Sequence, residues 1–148
     1  MRLSSLTAVL IVSAAVSACH DSTAPILGTY ALIAIDGQPL PVTFMGIDAG
    51  STVLSGTLYL DDAGHVLRVN HYRDYSANFG GSTSERSETL HDDYRISNDS
   101  ITVGSFGTCT GSCRLNEVGV FSDSLLTLTF DVIPRTRPVY TYHLIKTL

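Results

Sequence analysis

Apolar and polar residues alternate along most of the chain beyond residue 27, and no stretch there repeats convincingly every 3.6 residues. The alternation is cleanest late in the chain, where one set of alternate positions is apolar and the other polar: Leu126, Leu128, Phe130 and Val132 against Thr127, Thr129 and Asp131. A period of two residues predicts strands with one buried and one wetted face, the arrangement typical of antiparallel sheets.

Turn-forming residues divide this pattern into strands. Four short turns are predicted between alternating runs. Three are the pairs Asp36-Gly37, Asn98-Asp99 and Ser122-Asp123, and the fourth ends at Gly64. The irregular connection 38–51 contains two prolines, which cannot donate a hydrogen bond to a sheet. The predicted strands are 28–35, 52–60, 65–75, 84–97, 100–106, 114–121, 124–132 and 139–146.

Eight consecutive strands with mostly short connections predict an all-β domain. An open sheet would leave its first and last strands as unpaired edges, whereas pairing the two removes both edges. We therefore expect a single antiparallel up-and-down β-barrel of about eight strands. Gly28-Thr29-Tyr30 and the repeated strand-Asp-Gly rhythm resemble small bacterial lipocalin-like lipoproteins over residues 26–148. Lipocalins carry Gly-x-Trp at this place, where the present chain has Tyr30.

The N-terminal segment has the features of an export signal. Arg2 precedes an uncharged run over 3–16, which is too short to span a membrane as a helix. Val16-Ser17-Ala18-Cys19 resembles the lipobox of bacterial lipoproteins, which implies acylation (a palmitate-type lipid) on Cys19. The alternative is an ordinary signal cut after Ala18 that leaves Cys19 as a free thiol. The expected organisation is a signal peptide at 1–18, a tether at 19–27 and the barrel at 28–148.

The residue after the lipidation site bears on localisation. His20 stands where an aspartate is associated with retention at the inner membrane. The resemblance therefore implies a lipid-anchored protein of the cell envelope, at the outer membrane.

The two remaining cysteines form an even pair in an oxidising compartment. Cys109 and Cys113 are separated by three residues, which is the length of a common hairpin loop and places the sulfurs opposite one another. We expect a Cys109–Cys113 disulfide. The alternative is two reduced, half-buried thiols.

Charge narrows the range of partners. The whole chain has a formal net charge of −5, and the segment from Cys19 onward has eight basic and 14 acidic residues, a net charge of −6. An acidic domain of this kind has no basic surface for nucleic acid and no polybasic patch for anionic lipid. Contact with the membrane is therefore expected through the N-terminal lipid.

No enzyme motif or cofactor fingerprint is present, so we expect neither catalysis nor a cofactor. His71 and His91 fall on neighbouring strands beside several aspartates, which makes a metal site conceivable, but solvent-facing polar residues are the favoured interpretation and no metal is expected. Four arginines on the same two strands are interspersed with acids, which predicts cross-strand pairs on a wet face; an anion site is the alternative. These arginines are Arg68, Arg73, Arg86 and Arg95.

The connection 38–51 is the candidate ligand site. Phe44, Met45 and Ile47 place apolar side chains where a merely solvated loop would be polar. They predict either a lid over a small apolar ligand or a plug in a solid barrel. The expected function is accordingly a lipid-anchored binding module. The alternative is a structural or interaction lipoprotein without a ligand, whose loops contact another envelope protein.

Overall fold

The computed structural model describes residues 27–76, 81–106, 116–130 and 138–148. Every regular element in these ranges is a β-strand, and none of these residues belongs to a helix that could cross a membrane. The strands are β1 Gly28–Ile35, β2 Gln38–Pro39, β3 Val42–Met45, β4 Ala49–Leu60, β5 His65–Ser76, β6 Ser82–Ser97, β7 Ser100–Gly104, β8 Glu117–Ser122, β9 Leu125–Phe130 and β10 Tyr140–Thr147.

Eight of these strands close into an antiparallel barrel, as the alternation predicts. Strands β4 to β9 each pair with the next strand along the chain. Strand β1 closes the ring because it pairs with β10 on one side and with β4 on the other, so that Gly28 lies opposite both Thr147 and Leu60. Closure leaves no free edge between the first and last strands of the ring.

The two ends of the barrel differ in their connections. Tight turns at 61–64, 98–99 and 123–124 lie at one end, which we call the turn end. Asn98 and Asp123 have positive φ angles of 55° and 53°, a conformation that Asn and Asp tolerate better than most residues. Strands β2 and β3, the end of β5 and the start of β6 lie at the opposite end, which we call the mouth end.

The segment 38–51 is more ordered than its prolines suggest, which corrects the prediction of an irregular connection. Strand β2 pairs with the end of β1, where Pro39 lies opposite Ala34 on an edge strand that can do without one donor. Strand β3 pairs with the start of β4, which begins at Ala49 rather than at residue 52. The predicted strand 100–106 is also too long, since β7 ends at Gly104.

The apolar core extends from the turn end to Ile35, Val42 and Val53 at the mouth end. Tyr30 and Phe121 approach from different strands with ring centroids 6.4 Å apart. Fully burying a side chain of leucine size contributes about 1.5–3 kcal/mol, so this cluster supplies much of the driving force for folding. The buried apolar residues are Tyr30, Leu32, Ile35, Val42, Val53, Leu58, Leu60, Val66, Ile101, Val103, Phe121, Leu126, Leu128 and Tyr142.

The face assignment of β9 agrees with the prediction, and β10 alternates in the same way. Leu126, Leu128 and Tyr142 are fully buried, and Leu144 packs partly against the core. Thr127 and Thr129 are more accessible, and His143 is exposed. The side chain of Phe130, the lipobox with Cys19, and the Cys109–Cys113 pair lie outside the described residues.

Candidate functional site

Polar residues occupy the inner face of the barrel towards the mouth end. On β5 the even-numbered positions face inward, and after Val66 they change from apolar to polar. The residues opposite them on β6 continue the same surface, because directly paired positions on neighbouring strands point to the same side. We call this set the inner polar stripe: Arg68, Asn70, Tyr72 and Asp74 of β5, with Glu88, Arg86 and Ser84 of β6.

A buried ion pair lies at the inner end of this stripe. Arg68 contacts Glu117 of β8 through both terminal nitrogens, with Nη1 donating to Oε1 at 2.9 Å and Nη2 to Oε2. Both side chains are only 7% exposed. The two strands lie three places apart around the ring, so the pair crosses the barrel interior. A bidentate contact of this kind is strongly directional.

Arg68 therefore differs from the wet-face residue that the charge pattern predicts. Desolvation opposes its charge, but the oxygen of Tyr142 and the carboxylate of Glu117 favour the charged form, and the net effect raises the pKa of Arg68. The sequence contains one partial indication that Arg68 is buried. Arg68 occupies an even-numbered position on β5, on the same face as the buried Val66 and Asn70. Its partner is distant in the chain, so no local pattern points to Glu117.

Tyr140 and Tyr142 interact electrostatically with both members of the ion pair, and Tyr72 interacts with these two tyrosines. Burial, as the leading cause, raises the pKa of Tyr142 on β10, and the Glu117 carboxylate, Tyr140 and Tyr72 act in the same direction while Arg68 opposes them. Burial also raises the pKa values of Tyr140 and Tyr72. The phenol groups consequently stay protonated at neutral pH and remain able to donate hydrogen bonds.

Hydrogen bonds connect the outer members of the stripe. The Asn70 side chain donates to the Tyr72 hydroxyl at 3.2 Å, and that hydroxyl donates to Glu88 at 3.1 Å. The Arg86 guanidinium lies over the Tyr72 ring, 4.1 Å from its centroid, and donates from Nε to Asp74 at 2.6 Å. The polar groups thus form a continuous path from the barrel interior to the rim.

The stripe opens into a cleft at the mouth end. One row of paired positions crosses four strands, with Phe44 opposite Ser51, Ser51 opposite Asp74, and Asp74 opposite Ser84. These residues line a cleft of about 580 Å³ together with Ala49, Gly50, Tyr75, Ser76 and Ser82.

Asp74 is the charged group of this cleft. Ser51 Oγ donates to one carboxylate oxygen at 2.6 Å, while Arg86 contacts the other. The hydrogen bond from Ser51, and then the one from Arg86, lower the pKa of Asp74. Asp74 is therefore ionised at neutral pH and bonds to Ser51 of β4 on one side and to Arg86 of β6 on the other.

The three apolar residues predicted for ligand binding do not act as one group. Phe44 lines the cleft and is 42% exposed. Met45 is 67% exposed and packs over Gly50, and Ile47 is fully exposed. The side chains alternate along β3, so Phe44 faces the cleft while its neighbour points away. All three side chains are too exposed to form a plug buried in the barrel.

The outer face carries the exposed charge pairs that the sequence predicts. Arg73 lies directly opposite Glu85 and donates to it at 2.8 Å. His71 lies opposite Ser87, 2.8 Å from its hydroxyl, whereas His91 lies opposite Leu67. The two histidines are therefore not partners across the hairpin. Throughout the described ranges, no group of three His, Cys, Asp or Glu side chains is arranged to hold a metal ion.

These features define a closed eight-stranded β-barrel with an apolar turn end and a polar inner surface that leads into a cleft at its mouth. Serine hydroxyls, a carboxylate and an aromatic ring line the cleft, which suits a molecule with both polar and apolar parts. No family model, no curated protein and no solved structure matches the chain.

Proposed function

We propose that the protein is a lipid-anchored binding module that takes a small amphipathic molecule into its mouth. The observation that carries the proposal is the continuity between the inner polar stripe and the cleft of about 580 Å³. Clefts for small ligands commonly measure about 300–1,000 Å³ and combine an apolar lining with a few polar groups.

The character of the lining modifies the expectation of an apolar ligand. Phe44 offers an aromatic surface, but Ser51, Asp74 and Ser84 lie in the same row. A purely apolar ligand would cover these polar groups without replacing their hydrogen bonds to water, which is unfavourable. A ligand with hydroxyl, amide or amine groups beside an apolar portion satisfies both parts of the cleft.

Binding is testable with a neutral environment-sensitive dye, N-phenyl-1-naphthylamine, added to the purified full-length protein. We expect fluorescence enhancement on binding, and an affinity about tenfold lower for Phe44→Ala, because loss of one aromatic contact is worth roughly 1.4 kcal/mol. Ile47→Ala is the matched control, since Ile47 is equally apolar but does not line the cleft. A dye that fails to bind the folded wild-type protein, or equal losses in both variants, would contradict the proposal.

Lipid anchoring rests on the resemblance of residues 16–19 to a lipobox. Cys19→Ala is expected to move the protein from the membrane fraction to the soluble fraction of cells, and the wild type is expected with the outer membrane in a density gradient. Identical soluble behaviour of both forms would contradict anchoring. It would leave the dye-binding result intact, because the cleft belongs to the barrel.

A Cys109–Cys113 disulfide, which lies outside the described residues, is part of the proposal. Closing so short a loop would stabilise the fold by roughly 2 kcal/mol on the chain-entropy model. Mass spectrometry of non-reduced peptides from exported protein is expected to show the linked pair. Two free thiols would contradict it.

The second candidate function is contact with another envelope protein. Met45 and Ile47 favour it, because both are apolar and highly exposed outside the cleft. On this hypothesis Ile47→Ala would weaken capture of a protein partner by chemical crosslinking in cells, while dye binding would be absent in every form.

A further inference from the structure

Three deeply buried polar atoms have no hydrogen-bond partner in the part of the chain that the structure describes. They are Nε of Arg68, Oδ1 of Asn70 and the hydroxyl of Tyr142. Arg68 is 6% exposed, Asn70 5%, and Tyr142 is fully buried. Native proteins pair almost all such groups with protein or with an ordered molecule, so three in one region indicate a bound group that the described residues do not supply.

The three atoms belong to one layer of the barrel. Arg68 and Asn70 are alternate residues on the inner face of β5. Tyr142 comes from β10, three places away around the ring, and its oxygen interacts electrostatically with Arg68 and Glu117. Asn70 Oδ1 lies against Gly56 on the opposite strand, where a Cβ would come within 2.5 Å of it, so the glycine is what makes room for this oxygen.

The charges in this layer already balance. Arg68 is held by both oxygens of Glu117, so the buried pair is neutral as a unit. An additional carboxylate or ammonium would enter the interior without a counter-charge, which is strongly unfavourable. Nε of Arg68 and the Tyr142 hydroxyl are able to donate, and Asn70 Oδ1 is able to accept. The complementary group both accepts and donates while carrying no charge.

We propose that Arg68, Asn70 and Tyr142 form a deep subsite for an uncharged head group, a hydroxyl or primary amide, of the molecule that the cleft admits. This inference rests on the proposed function and specifies its ligand class. The rest of the ligand would run past Tyr72 and Arg86 to the cleft. The Arg86 side chain is about half exposed, so its displacement towards solvent is inexpensive.

The head-group preference is testable with four ligands that share one chain length: 1-hexanol, hexanamide, hexanoate and hexylammonium. Binding to the full-length protein is measured by displacement of N-phenyl-1-naphthylamine and by calorimetry. We expect the alcohol and the amide to bind at least tenfold more tightly than the two charged compounds. Equal or tighter binding of hexanoate or hexylammonium would overturn the assignment of an uncharged head group.

Tyr142→Phe locates the head group. Among the described residues the hydroxyl has no hydrogen-bond partner to lose. The variant is therefore expected to fold with nearly unchanged stability, while hexanamide affinity falls about tenfold for one lost hydrogen bond. Tyr59→Phe on the outer side of β4 is the control and should match the wild type in both measurements. Reduced stability with unchanged hexanamide binding would mean that an ordered water alone occupies the layer, and would overturn the subsite.

The outcomes separate the two proposals. If Phe44→Ala weakens dye and hexanamide binding but Tyr142→Phe does not, the cleft binds ligand without the deep subsite. If neither the dye nor any of the four compounds binds the wild-type protein, the proposed function fails together with the subsite. If Tyr142→Phe loses affinity only for the alcohol and the amide, the result supports both the proposed function and the deep subsite.

Discussion

The turn-end half and the mouth-end half of the barrel are built from the same strands, but their interiors differ along β5 and β6, while Ile35, Val42 and Val53 are buried at the mouth end as well. Near the turns, paired inner positions are apolar and sealed, as with Leu60 opposite Val66. Towards the mouth, the same face of β5 carries Asn70, Tyr72 and Asp74. The comparison shows that apolar burial on the other strands stabilises the fold sufficiently for β5 and β6 to carry inward polar groups, which burial alone would disfavour. The Arg68–Glu117 pair marks the boundary.

The largest predicted loss of stability comes from removing one partner of the Arg68–Glu117 ion pair. Glu117→Ala leaves the Arg68 charge buried and unpaired, so the free energy of unfolding should fall by about 3–5 kcal/mol in urea titration. Glu85→Ala, which breaks the exposed pair with Arg73, should cost only about 0–1 kcal/mol. Equal losses in the two variants would contradict a buried pair.

A companion variant tests whether the pair itself stabilises the fold. Arg68→Met combined with Glu117→Leu removes both charges and keeps the volume, so its stability should be near that of the wild type or above it. A double variant as unstable as Glu117→Ala would instead show that the polar contacts are needed for folding.

The second predicted loss of stability comes from removing a buried apolar side chain of β9. Leu128→Ala leaves a cavity at a fully buried position and should lower the free energy of unfolding by about 2–5 kcal/mol. Thr127→Ala, the adjacent residue on the other face of β9, should change it by no more than about 0.5 kcal/mol. Similar losses would mean that the two faces of β9 are assigned the wrong way round.

The smallest predicted effect is a change in the pKa of Asp74 at the rim of the cleft. Because Ser51 is the leading cause of the lowered pKa of Asp74, Ser51→Ala should raise that pKa towards its ordinary value of 3.8. The depressed pKa means that the contribution of Asp74 to stability is present above pH 3.8 and is lost as the pH falls through the lower folded-state value.

NMR titration of the Asp74 carboxyl carbon in wild type and Ser51→Ala measures this shift directly. Thr43→Ala is a suitable control, since Thr43 also bonds to a neighbour across β3 and β4 but does not contact Asp74. An unchanged Asp74 pKa in Ser51→Ala would show that Arg86 alone sets it.

The fold was largely predictable because its signals are local. Alternation and turn residues give the positions of the eight barrel strands, and the edge argument gives closure, which the pairing of β1 with β10 confirms. Strands β2 and β3 were missed because prolines normally indicate a break. Here Pro39 lies on an edge, where a missing donor is tolerated.

The site was predictable only in part because it depends on distant residues. Segment 38–51 does lie at the mouth, and Phe44 lines the cleft. On β5, however, both faces mix apolar and polar residues, so parity alone could not assign Arg68 to the interior. Its partner Glu117 is far along the chain, and only the closed ring brings the two together.

The pairing of β1 with β10 also bears on the time course of folding. Residues at the two ends of the barrel sequence, Gly28 and Thr147, must meet before the ring is complete. Contacts between segments so far apart in the chain slow folding, and β-rich domains of this kind commonly take milliseconds to seconds. During that interval both strands present unpaired backbone groups that another chain could join. The period before β10 docks is therefore when this protein is most prone to aggregate, and a chaperone that shields β1 would act most effectively then.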